Sequence, residues 1–268
     1  MPLTSAVPKA MFPLVDSAGK VKSVLHVICE QAVSAGAEHI GVVVSPWQTE
    51  MVRAYLEAVR EDDSLRSASR IECIMQTSLK GFGDAVLQGR SFVADEPFLL
   101  LLGDHIQVED PGKPACSVQV TNAFCSTDAA AMVGMQPVPK DELSRVGVAG
   151  GVQMRQGMYR CTHFVEKPDL ATARAKLVTP GLAEDTFLAH CGIYIFTPEV
   201  FDCIVQVSET AQKQGKEVEL ADAQALLLEK YPEKYYLYKI AGRAYDLGTP
   251  AGYADAQAVF RSRCQADR

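Results

Sequence analysis

A chain of 268 residues, 48% of them hydrophobic, is long enough for one large core or two small ones. A formal net charge of -7 argues against a nucleic-acid backbone or an anionic membrane as the main partner, although an acidic protein can still carry a positive pocket for phosphate. No apolar run approaches the ~20 residues of a membrane span, and no basic segment leads into an apolar leader.

The predicted elements alternate. Val21, Val24, Leu25, Ile28 and Ala32 share one helical face, and Gly36 closes that helix. HIGVVVS at 39–45 is a continuous β-branched run, which predicts a strand buried on both faces. A helix is expected from Trp47 to Arg60, a buried strand at IECIM (71–75), and a helix from Gly83 to Arg90 after a glycine-bearing turn. PFLLLLGD (97–104) is the most apolar strand. AAAMVGMQPV (129–138), RCTHFVEKP (160–168), AHCGIYIF (189–196) and YYLYKI (235–240) follow as further strands. Helices are expected over Leu170 to Leu177, after Pro198, over Glu219 to Lys230 and from Pro250 onward. This order predicts one α/β domain with a Rossmann-like, doubly wound, mainly parallel mixed sheet.

Eight cysteines, at 29, 73, 116, 125, 161, 191, 203 and 264, are scattered without a CxxC pair. Reduced thiols fit that pattern better than a disulfide framework or a zinc site. The combined expectation is a cytoplasmic protein with no membrane and no nucleic-acid partner.

In open parallel sheets ligands bind beyond the carboxyl ends of the strands. Asp104 follows FLLLL and Gly103, where a rigid carboxylate suits Mg2+, an ion that takes one or two protein carboxylates and fills its shell with phosphates and water. Asp246 stands similarly before Gly248. A turn-forming or capping aspartate is the plain alternative for each. Gly81 and Gly83 lie between a strand and a helix, where glycine permits close approach to a flat ring or a phosphate, or simply forms a tight turn. Glu166 and Lys167 end a strand, and Pro168 predicts an extended Lys167. Glu166 and Lys167 together could meet a sugar hydroxyl and a phosphate, or be two solvated charges. Lys9, between prolines, is a point charge for phosphate or a surface lysine. His105, His163 and His190 read as packed or surface residues.

Taken together, these stretches resemble the sugar-phosphate nucleotidylyltransferases, most closely the bacterial UTP–glucose-1-phosphate uridylyltransferases. PLTSAVPKAMFPLVD, QTSLKGFGDAVL, DEPFLLLLGDHI, VEKPD, GKEVELADA and AYDLGTPAGY match that family's motifs in order along nearly the whole chain. The resemblance implies the nucleotide-diphospho-sugar transferase fold. Residues 1–125 would be a nucleotide-binding half and 126–268 a sugar-binding half. It implies transfer of a uridylyl group from UTP to a sugar 1-phosphate, with glucose 1-phosphate first in line. Lys9 falls on a phosphate-contacting lysine, Gln76 and Gly81 on groups that read uracil, and Gly83 on the same nucleotide turn. Asp104 and Asp246 fall on a Mg2+ pair, and Glu166 and Lys167 on sugar and phosphate contacts. Gly147, Gly192 and Glu217 fall on the sugar pocket. Relatives commonly assemble, so a homo-oligomer is open.

There are departures. The family pattern places a strand and a Gly-x-Gly-Thr-Arg loop before the proline matching Pro2, where this sequence has Met1. The resemblance therefore leads one to expect a missing triphosphate clamp, unpaired edges on the neighbouring strands and weakened turnover. Ser5 and Arg145 replace a lysine and a common tyrosine, and SAGKVKS puts the first helix start in doubt. A non-catalytic sugar-nucleotide-binding or regulatory paralogue, or an enzyme using dTTP or another nucleotide, is the alternative.

Overall fold

The computed structural model describes residues 7–16 and 18–262. Pro2, Thr4 and Ser5 of the opening motif, Ser17 and Cys264 lie outside the described residues.

A 3-10 turn at Lys9–Met11 leads into a short antiparallel ribbon, β1 (Pro13–Val15) with β2 (Val21–Ser23). The Ser23 hydroxyl accepts the His26 N–H at 3.1 Å, which caps α1 (Val24–Ser34) and fixes the helix start. β3 (His39–Val44), α2 (Thr49–Ala58), β4 (Arg70–Met75), α3 (Phe82–Gln88) and α4 (Arg90–Val93) follow. Next come β5 (Phe98–Leu101), β6 (His105–Glu109), α5 (Cys116–Cys125) and β7 (Ala131–Pro139). β8 (Gly147–Arg155), β9 (Met158–Glu166), α6 (Leu170–Lys176), β10 (Thr186–Phe196) and α7 (Glu199–Gln214) continue the chain. It closes with α8 (Leu220–Lys230), β11 (Tyr235–Lys239), β12 (Gly242–Asp246) and α9 (Pro250–Ser262).

Six strands form the main sheet in the order β5-β10-β7-β11-β9-β8. β5, β7 and β11 run in one direction, with β10 reversed between the first two. Side chains alternate across this sheet, as strand geometry requires. Ala131, Val133, Met135, Tyr235 and Leu237 pack with Phe201 and Ile204 of α7 and Leu227 of α8. Met132, Tyr236, Ile193 and Ile195 pack on the other face against Cys116, Val120 and Ala123 of α5. Helices on both faces of a mixed sheet are the expected α/β architecture. Its parallel ladders are β11–β7 and, in a separate pair, β3–β4; the other ladders among the described residues are antiparallel.

Two expected features differ. β3 is not buried on both faces: only Val44 is buried, and Val43 remains 36% exposed. β4, expected as a buried strand at 71–75, has no buried residue, and Met75 is 44% exposed. The physical reason is edge position. Among the described residues β3 and β4 pair only with each other, so each has one side without a ladder.

β6 and β12 form a two-stranded antiparallel ladder that ties the middle of the chain to its end. α9 then returns to β1, where the Gln257 side chain accepts the Val15 N–H at 3.1 Å and donates to the Val15 carbonyl at 2.9 Å. These two ties bring the Lys9 segment, Asp104 and Asp246 to one corner. Among the described residues no helix is long and apolar enough to cross a membrane. None of the seven described cysteines is in a disulfide, and five of them are buried.

Candidate active site

Asp104 occupies the turn between β5 and β6, and Asp246 ends β12 directly opposite His105. The Leu247 N–H donates to the Asp104 carbonyl at 2.8 Å, fastening the end of β12 to the turn before β6. One ligand atom from each of Asp104, His105 and Asp246 lies within 4.8 Å of the others. Lys9 Nζ donates to Asp104 Oδ2 at 3.2 Å. Gly248 sits against the group: a Cβ there would come 2.7 Å from Asp246 Oδ1, 2.9 Å from Lys9 Nζ and 3.5 Å from Asp104 Oδ2. Any side chain at 248 would fill the point where the charges converge.

Burial acts to raise the Asp104 carboxyl. The hydrogen bond and charge of His105, with Lys9, outweigh it and hold the group down at about 2. Asp104 is therefore an anion, which only accepts, and His105 Nδ1 donates to its Oδ1 at 2.9 Å. The two carboxylates suit a hard divalent cation, with His105 holding Asp104 in place through its hydrogen bond.

Gln76 follows β4, and its Nε2 donates to the Gly81 carbonyl at 3.1 Å and to Asp84 Oδ2 at 2.8 Å. Gly81 adopts φ +108, open to glycine and strained for other residues. A Cβ on Gly81 would lie 2.7 Å from the Val218 carbonyl oxygen, and one on Gly83 would lie 2.9 Å from it. The space these glycines leave is thus taken by the chain's own backbone rather than left open above the turn. Two main-chain bonds of 2.7 Å, Gly83 N–H to Val218 O and Val218 N–H to Lys80 O, fasten the turn to the segment before α8. Glu217 is exposed beside Gly81 in that segment.

Glu166 ends β9 opposite Gly147 of β8. A Cβ on Gly147 would press within 2.7 Å of Glu166 Oε2 and 2.9 Å of the Phe164 ring, so glycine lets both side chains lie over β8. Burial pushes the Glu166 carboxyl up, Lys167 opposes the rise and Glu219 adds to it. Glu219 is the glutamate whose charge reaches Glu166. Lys167 is not extended: its φ is +48. Its N–H still donates to the Val146 carbonyl as the last rung of the ladder, at 3.1 Å. The chain leaves the sheet at this point, and Asp169 caps α6 two residues later. The proline disfavours the right-handed helical region for Lys167, and the chain takes the left-handed one. Lys167 Nζ stands 3.8 Å from Glu166 Oε1, largely exposed.

Gly192 links the two sides. Its φ is +81, and a Cβ would come 3.0 Å from the Cβ of His105. His190 and Tyr194 flank it on β10 and share a hydrogen bond of 3.3 Å. His190 stacks on Phe164 with centroids 4.6 Å apart. Burial pushes the imidazole down to about 3, so the ring is neutral. Tyr194 is pushed up, first by burial and then by Cys191, Glu166 and Asp104, which places it within electrostatic reach of both carboxylates. Sequence reasoning passed over His190, Tyr194 and Asp84. The available signals were the position of His190 and Tyr194 on either side of Gly192, and that of Asp84 in the GFGDA turn.

The model of the nucleotidyl transferase family matches residues 1–263, and the chain belongs to that family. Among curated relatives, a UTP–glucose-1-phosphate uridylyltransferase of Bacillus subtilis is 32% identical over 97% of this chain and 86% of its own length. One from Pseudomonas aeruginosa is 29% identical over 96% and 89%. A solved UDP-glucose pyrophosphorylase complexed with UDP-glucose superposes with a TM-score of 0.78 at 24% identity, covering 98% of this chain and 94% of that one. A UTP-bound enzyme of the same kind from Acinetobacter baumannii gives 0.72 at 21%, covering 97% and 88%.

Proposed function

We propose that this chain transfers a uridylyl group from UTP to a sugar 1-phosphate, with glucose 1-phosphate the first substrate to test. The convergence of Lys9, Asp104 and Asp246, residues far apart in sequence, carries the reading. The names and coverage of the curated relatives support it. A phosphate oxygen of the sugar 1-phosphate attacks the α-phosphorus of UTP in line. The new P–O bond forms as the bond to the β-phosphate oxygen breaks, and pyrophosphate leaves with the electron pair.

Both reactants are anions, so positive charge must offset their repulsion. Lys9 and Lys167 supply it from the nucleotide and sugar sides. Asp104 and Asp246 would hold Mg2+, which when bound supplies charge neutralisation and alignment of phosphate oxygens, while His105 holds Asp104 in place. The attacking phosphate is already ionised, so no general base is required, and alignment and charge lower most of the barrier. Gln76 reads the base from the turn at Gly81 and Gly83. Glu166, Gly147 and Gly192 border the sugar, with the neutral His190–Tyr194 pair behind them. Glu217 lies at the junction of the two halves.

Pyrophosphate release from UTP, glucose 1-phosphate and Mg2+ tests this. Release is expected to depend on both substrates and to fall by about a thousandfold in Asp104→Ala. No release with any sugar 1-phosphate, or release that survives Asp104→Ala, would overturn it.

A further inference from the structure

Gln76 is 8% exposed and its neighbour Asp84 9%, so each polar atom must be accounted for. A glutamine amide has two N–H donors and one carbonyl acceptor. Gln76 Nε2 faces two oxygens, Asp84 Oδ2 at 2.8 Å and the Gly81 carbonyl at 3.1 Å. A carboxylate and a carbonyl both only accept. Turning the amide over would set oxygen against oxygen at both contacts in a nearly dry place and lose both bonds. The partners therefore dictate the orientation. Both protons are spent, and Oε1 has no hydrogen-bond partner among the described residues. Asp84 is itself braced: Gln88 Nε2 donates to its main-chain oxygen at 3.2 Å and lies 3.5 Å from Oδ1.

We propose that Asp84 is a positioning residue that makes Gln76 an acceptor only, and that this selects a base with an imide N–H, uracil or thymine, over cytosine. The inference rests on the reading that Gln76 faces the base. The Watson–Crick edge of uracil runs acceptor, donor, acceptor, and N3–H is its one donor, so an acceptor side chain has one place to bind. The edge of cytosine carries a lone pair at N3. In the same register it opposes Oε1 lone pair to lone pair, and its amino group is reached only by sliding the base. A site built around one hydrogen-bonding pattern rejects an analogue that lacks it far more strongly than a merely apolar pocket does. Thymine shares the imide, so this device leaves UTP and dTTP alike.

Titration calorimetry with UMP, CMP and 3-methyluridine 5′-monophosphate tests the proposal on the unmodified chain. UMP is expected to bind at least about tenfold more tightly than either of the other two, whose N3 offers no proton. D84N keeps the shape and adds an amide that can donate, which removes one of the two acceptors that fix Gln76 and leaves the Gly81 carbonyl alone to oppose a turn. The UMP-to-CMP affinity ratio is expected to drop at least about tenfold, with CMP gaining while UMP loses. A merely structural role would weaken both nucleotides together. Equal binding of UMP and 3-methyluridine 5′-monophosphate by the unmodified chain, or an unchanged ratio in D84N, overturns the proposal. If UMP itself fails to bind, the reading of the site as uridylyl-transferring fails first and takes this inference with it.

Discussion

The six-stranded sheet and the β3–β4 pair are written in the same alphabet of Val, Ile and Leu, yet they are held differently. In the sheet, Met132, Val133, Leu188, Ile193 and Phe196 are fully buried between helices. In the pair, Val43 and Met75 stay exposed, and burial is confined largely to the α1–α2 side, where Val44 meets Leu25, Cys29, Val52 and Leu56. On the far side of α1 lies a polar network. Glu30 takes Lys22 and the imidazole of His26, His26 shares hydrogen bonds with Ser64 and Tyr55, and Lys20 reaches Asp62 at 2.9 Å. An apolar run is buried to the extent that faces and edges cover it, and its own hydrophobicity does not decide that.

The sharpest way to break this contrast is to cut one side chain from each region. Phe196→Ala empties a fully buried site and is expected to cost about 3–5 kcal/mol in denaturant unfolding. Next comes the polar network. Burial acts to raise the Glu30 carboxyl, but hydrogen bonds from His26, Lys22 and Ser64 hold it down at about 2, against an ordinary value of 4.5. A carboxylate lowered by folding stabilises above its unfolded value, and that gain is lost as pH falls from about 4.5 to about 2. Glu30→Gln is expected to cost about 2 kcal/mol near neutral pH and to flatten the acid limb of stability in that window. The smallest effect is expected for Val43→Ala, under about 1 kcal/mol. Equal losses from Phe196→Ala and Val43→Ala would end the comparison.

Much of this was legible in the sequence. Apolar runs marked the strands, and the aspartates following them marked the rim where Asp104 lies. Long-range pairing was not legible. Nothing local says that β12 lies against β6 with Asp246 facing His105, because register is set by the assembled sheet. The exposure of β3 depends on neighbours that no window of sequence contains. Pro168 predicted an extended Lys167, and the φ of +48 contradicts that, because the proline disfavours only the right-handed helical region. His190 looked like an ordinary core histidine until its stack on Phe164 and its bond to Tyr194 placed it by Glu166. Gly81 and Gly83 were singled out for close approach by a flat ring or a phosphate, and within the fold it is Val218 that lies against them.

The central claim is that Asp104 and Asp246 together hold one divalent ion. Electron paramagnetic titration of Mn2+ in the presence of UTP tests it directly, comparing the unmodified chain with Asp104→Asn and Asp246→Asn. The account predicts one tightly bound Mn2+ per chain, lost in either variant; undiminished binding in either would contradict it.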